Sequence, residues 1–101
     1  MNIKPKKSLG QNFLINTGVI QKILNAAEIK SADFIVEIGP GGGILTKELG
    51  RRANRVVAIE KDSRLIDLLQ EKFAKRNLEV IEGDALDYEP TFKNYKVVGN
   101  S

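Results

Sequence analysis

Four short runs rich in β-branched residues recur along the chain at intervals of about 20 residues: Phe34-Ile35-Val36-Glu37-Ile38, Arg55-Val56-Val57-Ala58-Ile59-Glu60, Leu78-Glu79-Val80-Ile81-Glu82 and Tyr95-Lys96-Val97-Val98-Gly99. Such runs read as strands. The spacing is too long for hairpins but suits crossover helices, and the first two runs are apolar on both faces, as strands covered on both sides must be. The predicted architecture is therefore α/β, with four parallel strands and flanking helices.

The intervening segments fit that plan. Val19, Ile20, Ile23, Leu24 and Ala27 form one apolar stripe, capped by Asn16 or Thr17 and followed by a turn at Lys30-Ser31-Ala32-Asp33. Gly43 to Arg51 is the predicted second helix. Leu65, Ile66, Leu69 and Phe73 share a stripe on a third helix, capped by Asp62 or Ser63. After Asp84 the polar, proline-broken stretch from Leu86 to Asn94 reads as a loop with at most one helical turn. The chain ends at Asn100-Ser101, directly after the fourth run. A doubly wound sheet stopping there is about half built, so residues 1–101 read as the N-terminal portion of a larger domain. Its last strand would be an exposed edge, open to edge-strand dimerisation.

Composition narrows the chemistry. The chain has no cysteine and no histidine, which removes disulfides, thiolate and imidazole metal ligands, a cysteine nucleophile and a histidine base. No metal is expected. No apolar run approaches the roughly 20 residues of a membrane span, and the basic N-terminus leads into polar sequence, not a signal-peptide core, so a cytoplasmic address is expected. The net charge of +3 is compatible with a polyanionic partner and decides little alone.

The strongest local feature is Val36-Glu37-Ile38-Gly39-Pro40-Gly41-Gly42-Gly43-Ile44-Leu45-Thr46, a glycine-rich turn between a strand and a helix start. Glycines there let the backbone approach a ligand beside a helix N-terminus; the alternative is a flexible strand-to-helix connection. The dinucleotide pattern GxGxxG would need glycine where Ile44 stands, and no Gly-Lys-Ser/Thr follows for a Walker loop. Glu60 ends the second run 21 residues after Gly39, where a carboxylate can accept from both hydroxyls of a ribose, unless it is an ordinary strand-end acid. Asp84, after the third run, lies at the carboxyl edge within reach of an adenine amino group, or else caps a helix. Together with Glu60 it makes a matched pair.

These residues resemble the ribosomal RNA adenine N6,N6-dimethyltransferase family, to which the erythromycin-resistance methyltransferases are related. Lys7-Ser8-Leu9-Gly10-Gln11-Asn12-Phe13-Leu14 is similar to that family's N-terminal cofactor motif, and Glu37-Ile38-Gly39-Pro40-Gly41 to its glycine motif. Glu60, Gly83-Asp84-Ala85 and Asn100 follow in the family's order, so the similarity covers the whole chain. The resemblance implies a Rossmann-like methyltransferase fold, S-adenosyl-L-methionine as cofactor, and ribosomal RNA of the small subunit as partner. It implies that Gln11, Asn12 and Leu14 close over the cofactor and that Gly39 and Gly41 approach its methionine portion. Glu60 would hold the ribose and Asp84 the adenine amino group. Asn100 looks like the first residue of the Asn-x-Pro-aromatic motif, which binds the amino group of the target adenine, and the resemblance places it among the cofactor-binding residues as well.

The sequence stops before the proline and the aromatic ring of that motif, and before the helical domain the family uses for RNA. The expectation is that the chain binds cofactor at most and transfers no methyl group alone. Two other readings stay open: a dinucleotide-binding module of an oxidoreductase, and a catalytically idle RNA-binding fragment. Lys4, Lys6 and Lys7 are the better candidates for phosphate contact, while Arg51, Arg52 and Arg55 read equally well as solvated surface.

Overall fold

The computed structural model describes residues 17–74 and 77–99. Elements follow in the order α1 (Thr17–Ala27), β1 (Phe34–Ile38), α2 (Ile44–Arg52), β2 (Arg55–Glu60), α3 (Ser63–Lys72), β3 (Leu78–Glu82), a 3-10 turn (Ala85–Asp87) and β4 (Lys96–Gly99). The strands form one parallel sheet in the order β3-β2-β1-β4. The α/β expectation holds, with small shifts at the ends. Gly43 is the left-handed N-cap of α2, not its first residue. Phe73 lies just past α3 as its C-cap. Tyr95 precedes β4, stacked edge-on against Phe92. Asp62, not Ser63, caps α3, accepting from the Arg64 amide.

Each face of the sheet is covered by different material. On one side Ile23 and Leu24 of α1, Leu45 and Leu49 of α2, and Ile66 and Leu69 of α3 pack over Ile35, Val56, Val80 and Val98. On the other, Val36, Val57 and Ile59 meet Ile81 of β3 and Ala85, Tyr88 and Phe92 from the β3–β4 connection. The connections from β1 to β2 to β3 thus run over one face and the connection to β4 over the other. Strand order reverses beside β1, and in an open α/β sheet that reversal opens a crevice at the carboxyl ends of the strands.

The C-terminus of α1 is anchored across the sheet. Lys96 on β4 donates to the carbonyls of Ala27 and Glu28 at 2.9 and 2.8 Å and pairs with Asp33 at 2.9 Å. A cation there satisfies carbonyls that have no partner within the helix. The predicted turn before β1 closes through Asp33, whose amide donates to the Lys30 carbonyl and whose carboxylate accepts from the Lys30 amide. Arg51 and Arg52 pair with Glu48, and Arg55 with Glu79, all at the surface.

Gly43 combines a φ of 87° with close packing: a Cβ built there would lie 2.5 Å from Phe73 Cε2. Gly42, one residue earlier, has nothing within 4 Å of such an atom. Gly43→Ala is therefore expected to destabilise the fold by roughly 2–4 kcal/mol, from left-handed strain plus overpacking, while Gly42→Ala costs less than about 1 kcal/mol. Paired urea denaturation curves check this difference.

Candidate functional site

The parallel register delivers the strand ends to one rim. Ile38 is aligned with Ile59 of β2 and Gly99 of β4, and Glu60 with Glu82 of β3. Beyond β1 the chain turns through Gly39 (φ 70°), Gly41 (φ 56°) and Gly43 (φ 87°), conformations that side chains disfavour, and the turn closes with the Gly43 amide donating to the Pro40 carbonyl at 2.9 Å. Lys72 of α3 donates to the Gly42 carbonyl at 3.0 Å and ties the bend to the neighbouring helix.

Glu60 fastens this bend to β2. One carboxylate oxygen accepts from the Gly41 amide at 3.1 Å and the other from the Asp62 amide at 2.8 Å. Its backbone carbonyl accepts from the Gly83 amide at 2.9 Å, so the residue joins three rim loops. The side chain is 7% exposed. Each carboxylate oxygen keeps a second lone pair.

Asp84 caps the 3-10 turn, its Oδ1 accepting from the Leu86 amide at 2.9 Å. The cap and the cleft are not alternatives here. A cleft of about 410 Å³ is lined by Ile38, Gly39, Ile59, Glu60, Lys61, Gly83, Asp84, Ala85 and Leu86. The structure thus brings Gly39, Glu60 and Asp84 to one cavity, with Gly41 held at its edge through Glu60. Gln11, Asn12, Leu14 and Asn100 lie outside the described residues, as do Lys4, Lys6, Lys7 and the predicted cap Asn16.

Three features of the cleft escape the candidate residues read from sequence. Lys61 places a cation at its wall, and Leu86 stands 91% exposed at its mouth. Sequence offered one signal for Leu86, an apolar residue in an otherwise polar stretch. The third adjoins the cleft without lining it: Glu37, two residues before Gly39, is fully buried, with one carboxylate oxygen accepting from the Thr46 hydroxyl and the other without a partner among the described residues. Burial, opposed by the Thr46 hydrogen bond and reinforced by the charge of Glu60, pushes its carboxyl up to about 7. Asp62 goes the other way, to about 2, because the side chain and backbone of Arg64 both donate to it.

The family model "Ribosomal RNA adenine dimethylase" matches residues 2–101. The chain belongs to the ribosomal RNA adenine dimethylase family. It is 51% identical over 100 residues to a probable ribosomal RNA small subunit methyltransferase A of Thermococcus sibiricus, covering 98% of this chain and 36% of that protein. With the ribosomal RNA small subunit methyltransferase A of Natranaerobius thermophilus it shares 48% over 96 residues, covering 92% of this chain and 32% of that one. The chain spans about a third of the length of these curated relatives. Among solved structures it is similar to the 23S rRNA methyltransferase ErmE, with a TM-score of 0.80 and 39% identity over 87% of this chain and 36% of that chain. A dimethyladenosine transferase from Plasmodium falciparum gives a TM-score of 0.76 and 39% identity over 89% of this chain and 33% of that chain. The fold is the Rossmann-like methyltransferase fold. The oxidoreductase alternative finds no support in these relatives.

The raised Glu37 carboxyl sets the sign of a pH effect. Its folded value of about 7 exceeds the ordinary 4.5, so between those values the folded state holds a proton that the unfolded state has lost. The contribution to stability is full below pH 4.5 and declines as pH rises through 7, by roughly 3 kcal/mol in all. Denaturant midpoints of the wild type measured from pH 5 to pH 8, set against those of Glu37→Gln, should show this decline in the wild type and its loss in the variant.

Proposed function

We propose that this chain forms the cofactor-binding part of an S-adenosylmethionine-dependent dimethyltransferase that modifies adenine N6 in small-subunit ribosomal RNA, in the cytoplasm. The observation that carries this reading is the meeting of a glycine bend and two carboxylates at one rim of a parallel sheet, Gly39 with Glu60 and Asp84 around a single cleft. Membership of the family, and the names of relatives that act on ribosomal RNA, support the substrate class.

The residues present fit the adenosine half of the cofactor. Glu60 has lone pairs left for the ribose hydroxyls, and Asp84 has a second carboxylate oxygen, beyond the one used in its cap, for the adenine amino group. Ile38 and Ile59 supply apolar walls for the ring. Gly39 and Gly41 leave the backbone of the bend open to the methionine portion. In the same reading Gln11, Asn12 and Leu14 close over the ligand.

Asn100 follows Gly99, the register partner of Ile38, and its side-chain oxygen would accept from the amino group of the target adenine. That nitrogen is a poor nucleophile because its lone pair is delocalised into the ring. Holding its hydrogens on fixed acceptors frees the lone pair without a strong base, in keeping with a chain that has no histidine. When bound, the sulfonium cofactor supplies the electrophilic methyl group. The flipped base is held by stacking, as in other enzymes that act on nucleobases. The β4 edge is where a second copy would pair.

Calorimetric titration tests the reading. Heat with S-adenosylhomocysteine and none with a nicotinamide dinucleotide is expected; heat with the dinucleotide alone would overturn the reading, and heat with neither would leave an idle fragment. Asp84→Asn keeps a competent cap, since asparagine caps as well as aspartate, but places an amide donor against the adenine amino group. Its affinity for S-adenosylhomocysteine should fall about 10- to 100-fold, with unchanged thermal stability.

A further inference from the structure

Glu37 is a carboxyl group buried with half of its hydrogen-bonding capacity unused. Its surroundings can be stated completely for the described residues. The register partners of Glu37 are Ala58 on β2 and Val98 on β4, both apolar and buried. From α2 it receives the Thr46 hydroxyl, and from β2 it feels the charge of Glu60. The cation facing the bend from α3, Lys72, is committed to the Gly42 carbonyl. Among the described residues no cation pairs with Glu37, and its second oxygen is buried without a hydrogen-bond partner.

An unpaired buried carboxyl responds to any charge brought near it, because the low-dielectric surroundings screen poorly. Glu37 stands two residues before Gly39, which lines the cleft, and the charge it feels from Glu60 comes from a second residue of the cleft wall. Donor and product of methyl transfer differ there by one charge: the donor carries a sulfonium cation, and the thioether product does not.

We propose that Glu37 is a specificity-determining residue that holds a proton in the empty site, releases it to solvent when a sulfonium ligand binds, and keeps it when the neutral thioether binds. This rests on the reading of the cleft as an S-adenosylmethionine site. The carboxylate so formed favours the cationic donor, and methyl transfer, by removing the cation, lets the proton return and weakens the hold on the product. No covalent step involves Glu37; one O–H bond breaks on donor binding and re-forms after transfer. The sign follows: preference for donor over product rises as pH rises through the range in which the empty site loses its proton, by about tenfold in all.

The test is calorimetric titration of the chain with S-adenosylmethionine and with S-adenosylhomocysteine, near pH 7, in buffers of different ionisation enthalpy. Donor binding should release on the order of half a proton more than product binding. Glu37→Gln, nearly isosteric, should abolish that difference and flatten the pH dependence of the preference; protons titrating on the ligands cancel between the two proteins. In parallel, the carboxyl carbon signal of Glu37 in the wild type should titrate with a lower midpoint in the donor complex than in the product complex, which requires no variant. Equal proton counts for two ligands that both bind would overturn this proposal and leave the cleft reading intact. Binding of neither would overturn both.

Discussion

The rim depends on the hydrogen bonds gathered by Glu60. Its carboxylate holds the amide of Gly41 in the bend after β1 and the amide of Asp62 at the entry to α3, and its carbonyl holds Gly83 after β3. Three connections that would otherwise move independently are tied to the end of one strand. Hydrogen bonds to a charged, largely buried acceptor are the stronger kind, and leaving such an acceptor unpaired is costly. The bend itself is built from left-handed glycines, and this acceptor and Lys72 fix its shape together with its own Gly43-to-Pro40 hydrogen bond and the packing of Gly43 against Phe73.

The placement of that junction follows from topology. Because α2 and α3 cover one face while the β3–β4 connection covers the other, the strand ends at β1 and β2 are left open. Packing on both faces makes β1 and β2 the rigid centre of the sheet, with Ile35, Val56 and Val57 essentially inaccessible. Loops carried on such a centre can hold polar groups in fixed positions, which a binding site requires. Glu37 shows the cost: a carboxyl group sits inside the core two residues before Gly39, with one oxygen unsatisfied among the described residues. A core built for stability alone would not keep it, and strain of this kind collects at functional sites.

Much of this was legible in the sequence for physical reasons. The runs beginning at Phe34, Arg55 and Leu78 are strands with the expected limits, because β-branched residues bounded by turn residues leave few alternatives. Asp62 acts as a cap, and Asp84 proves to be both cap and cleft wall, a dual role that spacing could not separate. Helix ends moved by a residue where tertiary packing decides: Phe73 leaves α3 to pack against Gly43. Strand order, the anchoring of α1 by Lys96 and the Glu37–Thr46 contact were not legible, since each joins residues whose proximity only the folded sheet creates. Lys61 at the cleft wall was illegible for the same reason, whereas Leu86 left a faint trace as an apolar residue in a polar stretch.

The claim at the centre is that one ligand seats where β1, β2 and β3 end. Amide chemical shifts followed during titration with S-adenosylhomocysteine test it most directly, since every backbone N–H reports its own surroundings. The account predicts shifts concentrated at Ile38 to Gly41, Glu60 to Asp62 and Gly83 to Leu86, with little change in the groove between α1 and β4 lined by Ile23, Ala27 and Val97. Shifts gathered in that groove, with the Glu60 junction silent, would contradict it.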